Sequence, residues 1–165
     1  MAIADALLME LETEAKTTER VLERIPENKL TWKPHPKSFS LGQLALHLAG
    51  GQGNIAEMIS TDTFELPVFT QPEAKSRKEI LDSLPLSTAK AKSILGKMDD
   101  ARMMSNWTLT KGGKVLMAAP RIGVIRGILL NHMYHHRGQL SVYLRLLDVP
   151  VPSIYGPSAD ENPFG

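Results

Sequence analysis

The sequence predicts an all-α fold, a four-helix bundle with crossover connections and a small β-hairpin between its third and fourth helices. Two observations lead there. Four long stretches repeat apolar residues at three- and four-residue spacing, the signature of helices with one buried face. The links at 26–39 and 61–75 are longer than adjacent antiparallel helices need, which favours connections that cross the bundle.

The first helix is expected from Ala2 to Ile25, with Leu7, Leu8, Leu11, Ala15, Val21 and Leu22 as its apolar stripe and Pro26 as its stop. The second starts at Ser40. Ser40 and Gln43 have capping-box spacing, and Leu41, Leu44, His47, Leu48, Ile55, Met58 and Ile59 follow on one stripe. The third begins after Ser76, with Glu79 as its box partner; Pro85 is expected to kink or break it. Trp107 to Thr110 and Val115 to Met117 are β-prone runs separated by a stretch containing Gly112-Gly113, which suits a tight hairpin turn. The fourth helix opens at Pro120, a residue suited to a first turn, and runs to about Leu147. The tail after Val149 is too rich in proline for helix, but Val151, Ile154 and Tyr155 give it side chains to pack on the bundle.

A chain of 165 residues is expected to form one domain, 1–165, with a sizeable core of its own. The formal charge of +1 comes from 19 basic and 18 acidic residues with no basic run, so nucleic acid is not an expected partner. The absence of cysteine excludes disulfides, iron–sulfur clusters and thiolate zinc sites, leaving histidine to carry any transition-metal chemistry. Residues 1–9 carry no basic leader and no run is long enough to span a bilayer, so a soluble cytoplasmic protein is expected.

His132 and His136 are the most informative residues. Four apart on a helix, they lie on one face and can point at one ion. Steps of three and four place Ile125, Leu129, His132, His136, Leu140, Tyr143 and Leu147 on the core-facing stripe, and His47 is the obvious third donor from the second helix. Imidazoles buried without partners cost about 1–3 kcal/mol each, a cost that a shared metal or separate hydrogen bonds would remove. Gly50, Gly51 and Gly53 cost the second helix on the order of 1 kcal/mol each. They either leave room beside the metal or admit a neighbouring helix. His35, flanked by prolines, reads as an exposed loop residue, and His135 as an exposed flank. Arg137 and Gln139 could brace the helix or the site; Tyr155 and the Asp160-Glu161 pair could cover the site or lie in solvent.

Ser40 to Leu48 (SLGQLALHL), His132 to Leu140 (HMYHHRGQL), Tyr143 to Leu146 (YLRL) and Val151-Pro152 together closely resemble the DinB-like family of the DinB/YfiT-like metalloenzyme superfamily. The resemblance implies a four-helix bundle that holds a divalent metal through three histidines, here His47, His132 and His136. Relatives of this group include transferases and isomerases that use low-molecular-weight thiols, and many with no established reaction. The resemblance thus specifies the site more closely than the chemistry.

Three neutral nitrogen ligands leave a divalent ion its full charge and open positions, enough to activate water or a thiol. Met133 stands where a zincin has its catalytic glutamate, and no carboxylate is in register for a facial iron triad, which disfavours both. The expected function is that of a zinc or nickel protein, a metal-dependent transferase, isomerase or hydrolase acting on a small electrophile with water or a low-molecular-weight thiol. The alternative is a non-catalytic bundle with a structural metal, serving as a dimeric binding module. A third option is a metal-free module whose histidines only hydrogen-bond. A homodimer is expected, from the exposed apolar residues of a bundle face and from the family resemblance.

Overall fold

Four long helical runs form where the apolar periodicity places them, and the computed structural model describes residues 2–165 of the chain. Helix α1 (Ile3–Leu22) buries Leu7, Leu11, Val21 and Leu22, and its first turn is tied by Asp5 Oδ2 accepting from Ala2 N at 2.9 Å. Helix α2 (Leu41–Ser60) carries the full capping box: Gln43 N donates to Ser40 Oγ and Ser40 N donates to Gln43 Oε1, both at 3.0 Å. A three-residue strand, β1 (Thr63–Glu65), follows. Helix α3 (Arg77–Leu95) has half a box, because Glu79 N donates to Ser76 Oγ while the Glu79 carboxylate accepts from Lys75 N.

Helix α3 runs through Pro85 without the break that is one of the two outcomes expected there. Pro85 is exposed, so the carbonyl that its missing N–H leaves free lies on the solvent side of the helix and water can satisfy it.

Two elements escape the periodicity. A five-residue helix, α4 (Asp100–Met104), capped by Asp99 Oδ1 accepting from Arg102 N, precedes the hairpin. The hairpin itself, β2 (Asn106–Lys111) with β3 (Lys114–Pro120), gains β1 as a parallel partner of β2, making a sheet of order β1-β2-β3. Gly112 and Gly113 turn it with φ of 57° and 76°, the left-handed pair a two-residue turn requires. The sheet is fastened to the bundle by Trp107, fully buried, whose Nε1 donates to Met58 O at 3.2 Å.

The last helical run comprises α5 (Arg121–Val124), a π-helical segment (Ile125–Leu130) and α6 (Asn131–Leu146), joined without a break because the junction residues keep right-handed helical dihedrals. Fully buried Arg121 donates to Ile59 O, Thr61 O and Asn106 O, which satisfies carbonyls at the end of α2 and ties that end to the sheet. Helix α1 packs on α3 and α6, and α2 packs on α3 and α6, so α1 lies diagonal to α2 and α3 diagonal to α6. Successive long helices are therefore not all neighbours: the link at 26–39 crosses the bundle from α1 to its diagonal α2, that at 61–75 joins the neighbours α2 and α3, and the second crossing, from α3 to α6, runs through α4 and the hairpin. No helix among the described residues is long and apolar enough to cross a membrane.

The π segment corrects the expected register. A 3.6-residue period starting at Ile125 reaches Leu129, His132 and His136, whereas the buried line runs through Ile125, Leu129, Met133 and Arg137, in steps of four, before continuing to Leu140 and Leu144. The wider π turn advances the buried line by one residue. His132 and His136 are consequently half-buried at the edge of the core rather than at its centre.

Candidate metal centre

His47, on α2, and His132 and His136, one turn apart on α6, converge where these two helices pack. His47 Nε2 is 2.9 Å from His132 Nε2, and His136 Nε2 is 2.7 Å from the same atom. One ligand nitrogen from each lies within 4.8 Å of the others. The sequence-predicted trio is thus brought together; His35 and His135 are not part of it. His35 is exposed and its Nδ1 accepts from Lys37 N, while His135 is exposed beside the His136 ring.

Two of the rings are oriented from behind. The Nδ1 atoms of His47 and His136 lie 3.1 Å from Gln71 Oε1 and 2.7 Å from Gln139 Oε1. A carboxamide oxygen only accepts, so each ring donates from Nδ1 and turns its Nε2 lone pair inward. Burial lowers the pKa of all three imidazoles. Burial dominates at His136, which is pushed down to about 4 despite the opposing Gln139 hydrogen bond, and it is also the leading cause at His47 and His132. The rings are therefore neutral donors near pH 7. A proton on His132 Nε2 could serve only one of its two neighbours, whereas a cation would satisfy all three lone pairs. Two ligand nitrogens on one zinc ion lie up to roughly 4 Å apart, given bonds of about 2.0–2.1 Å, and the two separations from His132 fall inside that limit. A three-histidine cluster of this kind can hold a metal ion.

The glycines of α2 divide by function. A Cβ on Gly50 or Gly51 would meet nothing within 4 Å, and both residues line a cleft of about 520 Å³ that opens beside His47. A Cβ on Gly53 would lie 3.0 Å from Ser87 O and 3.2 Å from Lys90 Cβ, so Gly53 admits α3. Both readings of the glycine cluster hold, at different positions. Phe39 and Phe69 present edges to the His47 ring at centroid separations of 6.1 and 5.9 Å. Met133 is buried and its sulfur accepts from Gln52 Nε2, so it has no part in the cluster.

Arg137 and Gln139, adjacent in the motif, have different roles. Gln139 holds His136, while Arg137, 1% exposed, points away to α1 and the tail. Its guanidinium donates to Glu14 O, to Thr18 Oγ1, to Glu14 Oε2 at 2.5 Å and to the Tyr155 hydroxyl. Asp160 and Glu161 pair with Arg145 and Arg20. Tyr155 and the acidic pair thus fasten the tail to the bundle and do not line the cleft beside His47. No sequence pattern marks Gln71, which sits in an irregular proline-containing link and reaches His47 only in the fold.

The chain is similar to several known proteins. YrdA, an uncharacterized protein of Bacillus subtilis (strain 168), is 28% identical over 163 residues, covering 95% of this chain and 90% of YrdA. The crystal structure of a DinB-like protein from Bacillus cereus ATCC 10987 superposes with a TM-score of 0.73 at 22% identity, over 93% of this chain and 98% of that one. A second DinB-like protein, YjoA from Bacillus subtilis, gives 0.66 at 17% identity, over 87% and 92%. These structural likenesses establish the shared fold. The sequence profile of the DinB family matches residues 1–162, nearly the whole length, and the chain belongs to the DinB family.

Proposed function

We propose that His47, His132 and His136 hold a divalent transition metal, zinc or nickel, and that the protein is a metal-dependent enzyme. Its substrate is a small electrophile, and its nucleophile is water or a low-molecular-weight thiol, giving transferase, isomerase or hydrolase chemistry. The observation that carries this reading is the convergence of three neutral, carboxylate-free imidazoles, one of which, His47, lines an open cleft. A divalent ion in such a site supplies Lewis acidity, lowering the pKa of a water or thiol that enters an open position. The protein's own contribution is orientation and access. Gln71 and Gln139 fix two rings, burial keeps all three unprotonated, and Gly50 and Gly51 leave the approach clear.

The test is turnover of a panel of small electrophiles by zinc- or nickel-loaded protein, with water alone and with cysteine as added thiol. Metal-dependent turnover lost in His136→Ala is expected; turnover that survives that substitution overturns the reading. A second reading, a structural metal in a non-catalytic module, draws on the fact that the cluster joins α2 to α6, far apart in sequence. It predicts that a chelator lowers the melting temperature by many degrees, because an ion bound only to the folded state stabilises it by mass action. We further propose a homodimer: Val142 and Leu146, 57% and 58% exposed one turn apart on α6, form an apolar strip that a partner copy would cover.

A further inference from the structure

Two clefts of ligand size among the described residues differ in charge. The one between α1 and α3, about 470 Å³, is lined in part by Glu12, Lys16, Glu19 and Lys92. The one beside His47, about 520 Å³, has no charged side chain in its lining. Its walls are Leu46, Ile55, Met58, Phe64, Leu66 and Phe69, with prolines of the 66–72 link, and its polar side chains besides His47 are Asn54 and Gln71. Gln71 already holds His47, which leaves Asn54 to recognise a ligand. His47, Gly50, Gly51 and Asn54 follow one face of α2 at offsets of three, four and seven, so Asn54 stands about 10 Å along the axis from His47 at 1.5 Å per residue.

We infer that this cleft takes an uncharged, largely apolar compound that offers one hydrogen-bonding group to Asn54 at one end and its reactive group to the histidine cluster at the other. The inference deepens the proposed function by naming the class of the electrophile, and it rests on that reading only for the reaction at the histidine end. A volume near 500 Å³ lies within the range of small-molecule sites, which are apolar with a few placed polar groups. Away from the histidine cluster, an anionic group on the ligand would lose its hydration with no lysine or arginine in the lining to replace it, so the body of the ligand is uncharged. The open space over Gly50 and Gly51 is where the apolar body lies, and Phe69, 61% exposed, forms the outer wall.

Two fluorescent probes that share a skeleton test this directly: neutral N-phenyl-1-naphthylamine and its sulfonated analogue 1-anilinonaphthalene-8-sulfonate. Titrations use metal-loaded and metal-free protein. The neutral probe is expected to bind saturably, near one per chain, at least tenfold more tightly than the sulfonate. Gly51→Leu, which fills the cleft from a helix position open to a side chain, is expected to weaken the neutral probe at least tenfold with helical circular dichroism unchanged. Leu66→Lys, placing a cation in the lining, is expected to narrow or reverse the preference. Equal or tighter binding of the sulfonate, or neutral-probe affinity unchanged in Gly51→Leu, overturns the inference. The readout is independent of turnover. Protein that binds the neutral probe but no metal sinks the proposed function alone; protein that binds metal but not the probe sinks this inference alone.

Discussion

Replacing Arg137 by methionine isolates what the arginine of the histidine motif does. The guanidinium is 1% exposed and its Glu14 partner 13%, so the pair is buried on the α1 side of α6. Arg137→Met removes the ion pair, the hydrogen bonds to Glu14 O and Thr18 Oγ1, and one of the two attachments of the Tyr155 hydroxyl, while leaving the Glu14 carboxylate in place. Removing one member of a buried pair costs roughly 3–5 kcal/mol, most of it from the uncompensated partner. At about 2–4 °C per kcal/mol for a domain of this size, the midpoint should fall by roughly 6–20 °C. Calorimetry on metal-free protein measures this without interference from the ion. Adding Glu14→Gln should recover part of the loss, since the orphaned charge is then gone, and metal stoichiometry should be unchanged because Arg137 does not touch the cluster. A loss below about 1 kcal/mol, the value of a surface pair, would refute the reasoning.

Three further outcomes follow from the site and its surroundings. Gln71→Leu and Gln139→Leu should each lower metal affinity about 10- to 100-fold in chelator competition, because each frees the Nδ1–H that orients a ligand ring; unchanged affinity would show the carboxamides idle. Metal-free protein should lose stability as pH falls from 6.5 toward 4. In that window the unfolded chain protonates His136 at its ordinary value while the folded chain resists until about 4; above 6.5 both states are neutral and the effect is absent. His47 and His132 shift in the same direction, and His136→Gln should flatten the acid side of the melting profile. Gly51→Ala should stabilise by up to about 1 kcal/mol and Gly53→Ala should destabilise, since one Cβ meets open space and the other a backbone oxygen; equal effects in urea unfolding would contradict the division drawn between them.

How far the fold could be read from the sequence depended on the range of the interaction. The Ser40–Gln43 box, the Gly112–Gly113 turn and the apolar stripes of α1 and α2 are local, and each formed as its residues require. The strand β1 was not visible because Thr63 to Glu65 pairs with residues more than forty positions away, and three residues carry no period of their own. The register of the last helix failed for a different reason. Periodicity assumes 3.6 residues per turn, and a π turn just ahead of the histidines moves the buried line onto Met133 and Arg137. His132 and His136 are left facing the cluster at the core's edge. Pairing at four-residue spacing survives that shift, and so the trio emerged from the sequence while its burial did not. Gln71 and the charge-free cleft wall come from an irregular link, whose path only the packed bundle defines.

The most direct test of the account is elemental analysis of protein purified without a histidine tag, beside His47→Ala and His136→Ala. Close to one zinc or nickel per chain in the parent, and little in either variant, is the predicted result. A parent that carries no divalent metal and takes up neither added zinc nor added nickel would contradict it, and would leave His47, His132 and His136 as a hydrogen-bonding cluster.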